Sequence, residues 1–508
     1  MNQQNIVIVG AGPTGLVLAL RLVRHGVKAR IVDKRVKPGE NSRAIGVQAR
    51  TLEFYGQMGL ADAVIAHGIK IENFHLRGGG SEAARFSLKD MGADMSPYPY
   101  ILSYPQDEHE KFLVQELAKH GVSVEWETEL VSFVEEGERI DVKIKKGLHE
   151  ESFFTSYICG CDGAHSTVRE ALKVDFPGGT YQQLFFVADV KVDQAVLSDA
   201  FFNLGPKSFI LLMPVRTTGM HRLIGIVPEE LSNIKDVGFE DLRESAEKLL
   251  NMKVVGVNWF STYRVHHRVA DHFRIGRAFI AGDAGHVHSP AGGQGMNTGI
   301  GDAVNLAWKL ASVVQGKAGA TLLDTYETER IVFAKKLVDT TDRAFQNIVA
   351  TGFKGEFLRT WLIPHFISFF GGFSSFKKII FKTVSQVKIN YADSALSEGV
   401  SGKIKGGDRL PWLKTDIFDN FDPLQSLAWH IQVYGLVDAD LKKKCDQIRL
   451  PLTVYKFSEK ARLAGFSENC ALLIRPDAYV GLAMPDQNVS DLEAYLAKFA
   501  LKVGQSDA

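Results

Sequence analysis

Three carboxylates, Asp33, Asp162 and Asp283, each close an apolar run and lie in or near a glycine turn. Carboxylates so placed can accept hydrogen bonds from the hydroxyls of a nucleotide. The first belongs to the best-defined unit. Ile6-Val7-Ile8-Val9 has the length and branching of a buried parallel strand. Gly10-Ala11-Gly12-Pro13-Thr14-Gly15 follows at once, then Leu16–Leu22 reads as a helix and Ala29–Asp33 as a second strand. In such a unit Gly10 makes the tight turn, Gly12 lets the backbone approach a diphosphate, and Gly15 lets helix and strand pack closely. The diphosphate rests on the helix N-terminus, where Pro13 and Thr14 stand. Asp33, 21 residues after Gly12 and followed by Lys34, is placed for the adenosine ribose. Glycines alone make ordinary turns. Strand, turn, helix and acid in register point to a dinucleotide.

The elements that must position the other two acids are legible as well. Phe153–Cys161 reads as a strand delivering the turn Cys161-Asp162-Gly163 into a helix over 164–172. Ala278-Phe279-Ile280-Ala281 delivers Gly282-Asp283-Ala284, then a glycine-rich loop, then a long helix from near Gly301. Between them, residues 181–264 change to long β-rich runs with one amphipathic helix near 239–251, the texture of an inserted sheet. Residues 71–102 have the same texture and are expected to pair with it. Helical residues follow to about 395, and strands near 450–456, 471–475 and 478–482 with a final helix mark a separate C-terminal unit.

Composition bounds the possibilities. The chain has 508 residues, 45% of them hydrophobic, enough for two or three domains. Lys+Arg and Asp+Glu both number 59, and zero net charge argues against a nucleic-acid partner. Four cysteines give no disulfide framework. Cys159 and Cys161 read as buried thiols on one strand face, which fits a cytoplasmic protein. No zinc spacing occurs, and His286 and His288 lack a third ligand, so no metal is expected. With the first strand read as starting near Ile6, no signal peptide is expected. Trp361–Phe370 is too short to span a bilayer and reads as a packed helix, so no transmembrane segment is expected.

These residues resemble a known family, the single-component FAD-dependent aromatic hydroxylases (4-hydroxybenzoate, phenol and polyketide hydroxylases). The resemblance rests on Asp162-Gly163-Ala164-His165-Ser166-Thr167-Val168-Arg169 and on Gly282-Asp283-Ala284-Gly285-His286. It continues through Ser289-Pro290-Ala291-Gly292-Gly293-Gln294-Gly295-Met296-Asn297. Ser42-Arg43-Ala44, Arg50-Thr51-Leu52-Glu53 and Tyr104-Pro105-Gln106 are similar to further family segments. Arg409-Leu410-Pro411 and Arg475-Pro476-Asp477-Ala478-Tyr479-Val480 resemble the tail of the phenol and polyketide branch, here without the thioredoxin dithiol. Gly285 and Ser289 depart from the family's usual alanine and proline. The implied fold is α/β: a Rossmann-like FAD-binding domain, an inserted β-sheet substrate domain, a helical linker and a thioredoxin-like C-terminal domain. The implied boundaries assign 1–70, 103–176 and 269–350 to the FAD-binding domain and 71–102 and 177–268 to the substrate domain. Residues 351–400 become the linker and 401–508 the tail.

The same resemblance implies a function. NAD(P)H would reduce FAD, molecular oxygen would add at flavin C4a, and the hydroperoxide would hydroxylate a small phenolic or polycyclic aromatic substrate. Asp33, Lys34, Arg43, Gln106, Asp162, Gly163, Gly282, Asp283, Gly293, Gly295, Met296 and Asn297 then join Gly10–Gly15 as cofactor residues, with Pro290 beside C4a. No second glycine-rich unit for a stable pyridine-nucleotide site occurs. Arg216 and Arg222 flank a hairpin turn at a spacing similar to that of the substrate- and flavin-side arginines of 4-hydroxybenzoate hydroxylase, which makes Arg222 a catalytic candidate. Tyr263, Arg264, His266 and His267 precede the return to the FAD domain, and a His or Tyr there can deprotonate a phenol. Two alternatives stay open: a reductase or dehydrogenase of this fold without oxygen insertion, and a non-catalytic FAD-binding protein. The assembly is expected to be a monomer or homodimer.

Overall fold

The computed structural model describes residues 5–40, 44–78, 81–194, 196–206, 208–216, 219–231, 236–289, 293–349, 352–363, 365 and 373–504. Its first sheet sets the site. Ile6–Val9 lies between Arg30–Asp33 and Tyr157–Gly160, and Ala278–Ile280 flanks the latter, all parallel. Val124–Trp126 and Arg274–Ile275 complete six strands. Ile6–Val9 and Arg30–Asp33 are four-residue runs rich in β-branched residues and largely buried, as central parallel strands must be. Because neighbours run the same way, Gly10, Asp33, Cys161-Asp162 and Gly282 all emerge at one end of the sheet. Ligands of open α/β sheets bind in that crevice.

Helix α1 (Pro13–Arg24) packs along α2 (Gly295–Val314), which is followed by α3 (Asp324–Val349). The sequence places the start of the long helix near Gly301; the structure begins it at Gly295. Gly295, Gly299 and Asn297 are poor helix formers, but close packing on α1 overrides propensity there.

The inserted unit is an eight-stranded sheet in the order His286–Val287, Val254–Val269, Gly178–Val192, Met220–Ile226, Phe209–Arg216, Asp199–Leu204, Asn73–Gly78, Ser81–Ser87. Strands from 71–102 therefore do join it, with Asn73–Gly78 parallel to Asp199–Leu204. Alternation sorts its side chains. Phe186, Ala188, Leu212 and Leu223 bury against helix Phe239–Leu250. Phe185, Phe209, Ile226 and Leu204 face the other way and meet Phe345 of α3 and Ile363. On that same inner face, Phe86, Met213 and Ala200 meet Phe381 of α4 (Ser374–Val384).

The tail has the thioredoxin-like order: Leu452–Tyr455, His430–Tyr434, Cys470–Ile474, Val480–Met484, with Ala439–Gln447 crossing between the parallel pair. Its sheet reaches back to Glu398–Ser401, just before the expected boundary at 401. A buried charge cluster bonds it to the nucleotide domain. Arg475 contacts Glu329 at 2.7 Å and Asp477 at 2.6 Å, and Lys309 reaches Glu329 at 2.8 Å. Trp308 donates to Asp477 (3.1 Å) and packs edge-on against Trp429. The two cations and two anions balance, as burial requires. No helix among the described residues is long and apolar enough to cross a membrane.

Two interior histidines make stability depend on pH. Burial pushes His109, bonded to Tyr55 (2.7 Å), down to about 3 and His430 down to about 4. The unfolded chain takes these protons near pH ~6.5. Between about 6.5 and 4 the unfolded state binds more protons, so stability falls as pH drops through that window. Thermal unfolding should show Tm declining below pH ~6.5, with His109→Gln flattening part of the decline. An identical profile in that variant would contradict the assignment.

Candidate cofactor and active site

Glycines close the cradle by contact. A Cβ on Gly10 (φ +102°) would lie 2.3 Å from the Cys161 carbonyl oxygen, and one on Gly15 only 1.9 Å from that of Gly10. Thr14 is wedged between two more. Its Oγ1 would lie 2.5 Å from a Cβ on Gly282 (φ +63°) and 2.4 Å from one on Gly299. Gly12 and Gly163 differ, since a Cβ on either would meet nothing within 4 Å. The crowded glycines set the turn, and the open one at Gly12 faces the space a diphosphate needs.

Two helix ends converge on this cradle without compensating charge. Neither α1 nor α2 has an acid in its first turn or a side-chain cap. The first helical bond of α1 runs from Leu16 N–H to Gly12 (3.0 Å), and that of α2 from Thr298 N–H to Gln294 (2.9 Å). The amides of Thr14, Gly15, Gly295, Met296 and Asn297 precede those bonds, and the dipoles make both ends positive. Such ends suit the anionic diphosphate and the anionic pyrimidine edge of a reduced flavin. The residues present therefore fit FAD.

Asp302 fixes the second turn. It accepts from Gly282 N–H (2.9 Å), His286 Nε2 (2.7 Å) and Arg330 Nε (2.6 Å), all buried. Burial opposes its charge, but Arg330 and His286 outweigh that and hold the carboxyl below its usual range. Arg330 also donates to the Tyr391 hydroxyl (3.0 Å) and the Thr298 carbonyl (3.1 Å). Arg169 joins the remaining turns, donating to the carbonyls of Ala284 and Ala164 at 2.9 Å. Arg169 closes the motif Asp162–Arg169, whereas Asp302 and Arg330 lie within helices and carry no signature of their own in sequence.

The predicted cofactor residues divide. Asp283 is exposed beside Gly282, and Gly293 (φ +61°), Gly295 and Met296 line the start of α2. Asn297 is fully committed: its Oδ1 accepts from Gln48 N–H (2.9 Å) and Thr51 (2.7 Å), and its Nδ2 donates to Gly46 and Gly293 (2.8 Å each). Its side chain shapes the loop, so only its backbone can serve a ligand. Asp162 accepts from Val168 N–H (3.3 Å), while its Oδ1 has no partner among the described residues, and burial raises its pKa. Asp33 accepts from Ala11 N–H (2.7 Å) and pairs with Arg35 (3.0 Å). Arg35 also reaches Glu110 (3.0 Å), to which Gln106 donates (2.9 Å). Lys34 is exposed, because strand alternation turns it from Asp33. Arg35 and Glu110 were missed; Glu110 lies one helical turn beyond Gln106, a spacing that places both on one face. Pro290 and Arg43 lie outside the described residues.

Beside the cradle stands the inner face of the eight-stranded sheet. Phe74, Phe202, Leu211, Ile224 and Trp259 are only half-buried there, whereas residues under helix Phe239–Leu250 are closed off. Aromatic contacts cross it from Phe74 through Phe202, Phe209, Phe345 and Phe185 to Tyr263. Arg222 sits within this face, but its guanidinium forks onto Asp189 (2.7 and 2.9 Å), its cross-strand neighbour. Arg222, the catalytic candidate, is thus a member of a buried ion pair. Arg216 closes its strand, and Arg264 is exposed. His266 bonds Thr180 (2.7 Å) and His267 packs edge-on to Tyr181. Among the described residues no His, Cys, Asp or Glu cluster could hold a metal.

A nucleotide domain of this kind, facing an aromatic-walled sheet, is the arrangement of an FAD-dependent monooxygenase. The chain belongs to the FAD-binding-domain family, whose model matches residues 3–341. It is 36% identical to 6-methylpretetramide 4-monooxygenase of Streptomyces rimosus over 79% of this chain and 72% of that protein. It is 32% identical to pentachlorophenol 4-monooxygenase of Sphingobium chlorophenolicum over 68% and 65%. Among solved structures, anhydrotetracycline hydroxylase from Streptomyces rimosus superposes with a TM-score of 0.77 at 26% identity, covering 99% of both chains.

The wedge at Thr14 is testable. Gly299→Ala should weaken FAD binding about tenfold, about 1.4 kcal/mol, by forcing Thr14 from the cradle. Thr14→Ala in the same chain should restore part of the loss. Flavin fluorescence titration reads both, and unchanged affinity in the single variant would refute the wedge.

Proposed function

We propose that this protein is an NAD(P)H-dependent monooxygenase that hydroxylates a phenolic or polycyclic aromatic compound. The observation that carries the reading is the meeting of two acid-free helix ends with a half-buried aromatic wall. Bound FAD would take a hydride from NAD(P)H and supply activated oxygen from its C4a carbon. The chain's own groups do the rest. The α1 amides hold the diphosphate, with Asp33 at the ribose and Gln106 and Asp283 along the ribityl chain. The α2 amides stabilise negative charge on the pyrimidine edge.

The aromatic face serves two ends. It orients a planar substrate by stacking, and it keeps water from the oxygen-bearing carbon, which would otherwise release peroxide. Relatives named for a pretetramide and a chlorinated phenol support a ring substrate. The Arg222–Asp189 pair gives the wall one polar spot. With both charges satisfied, it favours a neutral hydroxyl over a carboxylate, so the substrate is assigned as a phenol rather than an aromatic acid. Four unpaired, buried cysteines accord with a cytoplasmic setting.

A panel of phenols, polycyclic phenols and matched benzoates should be screened for accelerated NAD(P)H oxidation, with product mass read under labelled oxygen. The expected result is stimulation by phenols with one labelled oxygen in the product. Oxidation without incorporation would indicate a reductase, and no turnover with any reductant a non-catalytic flavoprotein.

A further inference from the structure

Away from the cradle, large apolar side chains face solvent on the layer that covers the inner sheet face. Phe357, Trp361 and His365 stack in succession, with ring centroids 5.1 and 4.8 Å apart. Phe357 is 44% exposed, Trp361 49% and the adjacent Leu362 41%. The opposite side of this stretch is anchored, with Ile363 against the sheet and buried Arg359 donating to the Gly205 carbonyl (3.1 Å). Helix α4 repeats the arrangement. Phe381 is buried against the same sheet face, while Ile379 (58%) and Phe373 (57%) are exposed with Lys378 and Lys382. Both stretches rest on one sheet face, so their outward sides look the same way.

Charge decides what such a surface can meet. Between residues 352 and 388 the sequence has five lysines and one arginine against a single acid, Glu356, in a chain whose total charge is zero. Exposed apolar side chains interleaved with lysines on these helical stretches match the interface of an anionic bilayer: rings and aliphatic chains enter the acyl boundary, and ammonium groups meet the headgroups. A second copy fits poorly, because a two-fold contact would set Lys378 and Lys382 against themselves. We propose that Phe357, Trp361, Leu362, Phe373 and Ile379, flanked by Lys378 and Lys382, form a docking surface for an anionic membrane. It goes beyond the proposed reaction and does not depend on it.

The FAD-loaded full chain should be sedimented with vesicles of phosphatidylcholine alone and of phosphatidylcholine with phosphatidylglycerol. Binding should be confined to the anionic vesicles and fall steeply as salt shortens the screening length. Ile379→Glu, and Lys378→Glu with Lys382→Glu, should each lower the partition about tenfold or more. Their FAD content and vesicle-free NAD(P)H oxidation should stay unchanged, which separates this test from that of the flavin reading. The Trp emission shift on adding anionic vesicles should vanish in Trp361→Phe. Failure to sediment with anionic vesicles, equal binding to neutral ones, or a dimer that Ile379→Glu dissociates would each overturn the proposal.

Discussion

Asp302 joins what the chain itself keeps far apart. One carboxylate receives the amide of Gly282, the imidazole of His286 and the guanidinium of Arg330. It therefore fixes the turn that presents Asp283, the first turns of α2, and the register of α3 against both. Through Arg330 it also meets Tyr391, which packs on Tyr479 of the tail at a ring distance of 4.3 Å. A charge this deep is tolerable only because every partner is in place. Removing one side of such a pair costs roughly 3–5 kcal/mol, a large share of the stability of any domain.

The rest of the site is arranged around that fixed point. Thr14 fills the gap between Gly282 and Gly299, so α1 and α2 present their positive ends together. The tail, held by Arg475, Glu329, Lys309 and Asp477, buttresses α2 and α3 from behind. Its strand His430–Tyr434 is followed by no cysteine pair. The inserted sheet supplies the opposing wall, closed on one face by its own helix and left half-covered on the other. The cradle and the aromatic wall thus come from different sheets, which lets one vary without disturbing the other.

Sequence reading captured what depends on local pattern. The strand–turn–helix at Ile6–Arg24 and the pairing of residues 73–87 with the inserted sheet were legible from period and glycine placement. The tail architecture came from its motifs. What sequence hid are contacts between distant residues. Arg222 was legible as a residue flanking a hairpin turn, but only the cross-strand register reveals Asp189 beside it. The side-chain amide of Asn297 is taken up by four hydrogen bonds to the segments around Gly46–Thr51 and to Gly293, which leaves its backbone N–H for a cofactor. Lys34 and Arg35 could be told apart only by which face of the chain each takes. Asp302 and Arg330 sit in helices whose apolar periodicity gave no reason to single them out.

The central claim is that a buried carboxylate, and not the glycine turns alone, holds the flavin cradle in shape. FAD affinity of Asp302→Asn, an isosteric change, tests it most directly by flavin fluorescence titration alongside circular dichroism. A dissociation constant raised about tenfold or more, about 1.4 kcal/mol, in a chain of unaltered secondary structure is the predicted result. Wild-type affinity in the folded variant would contradict it.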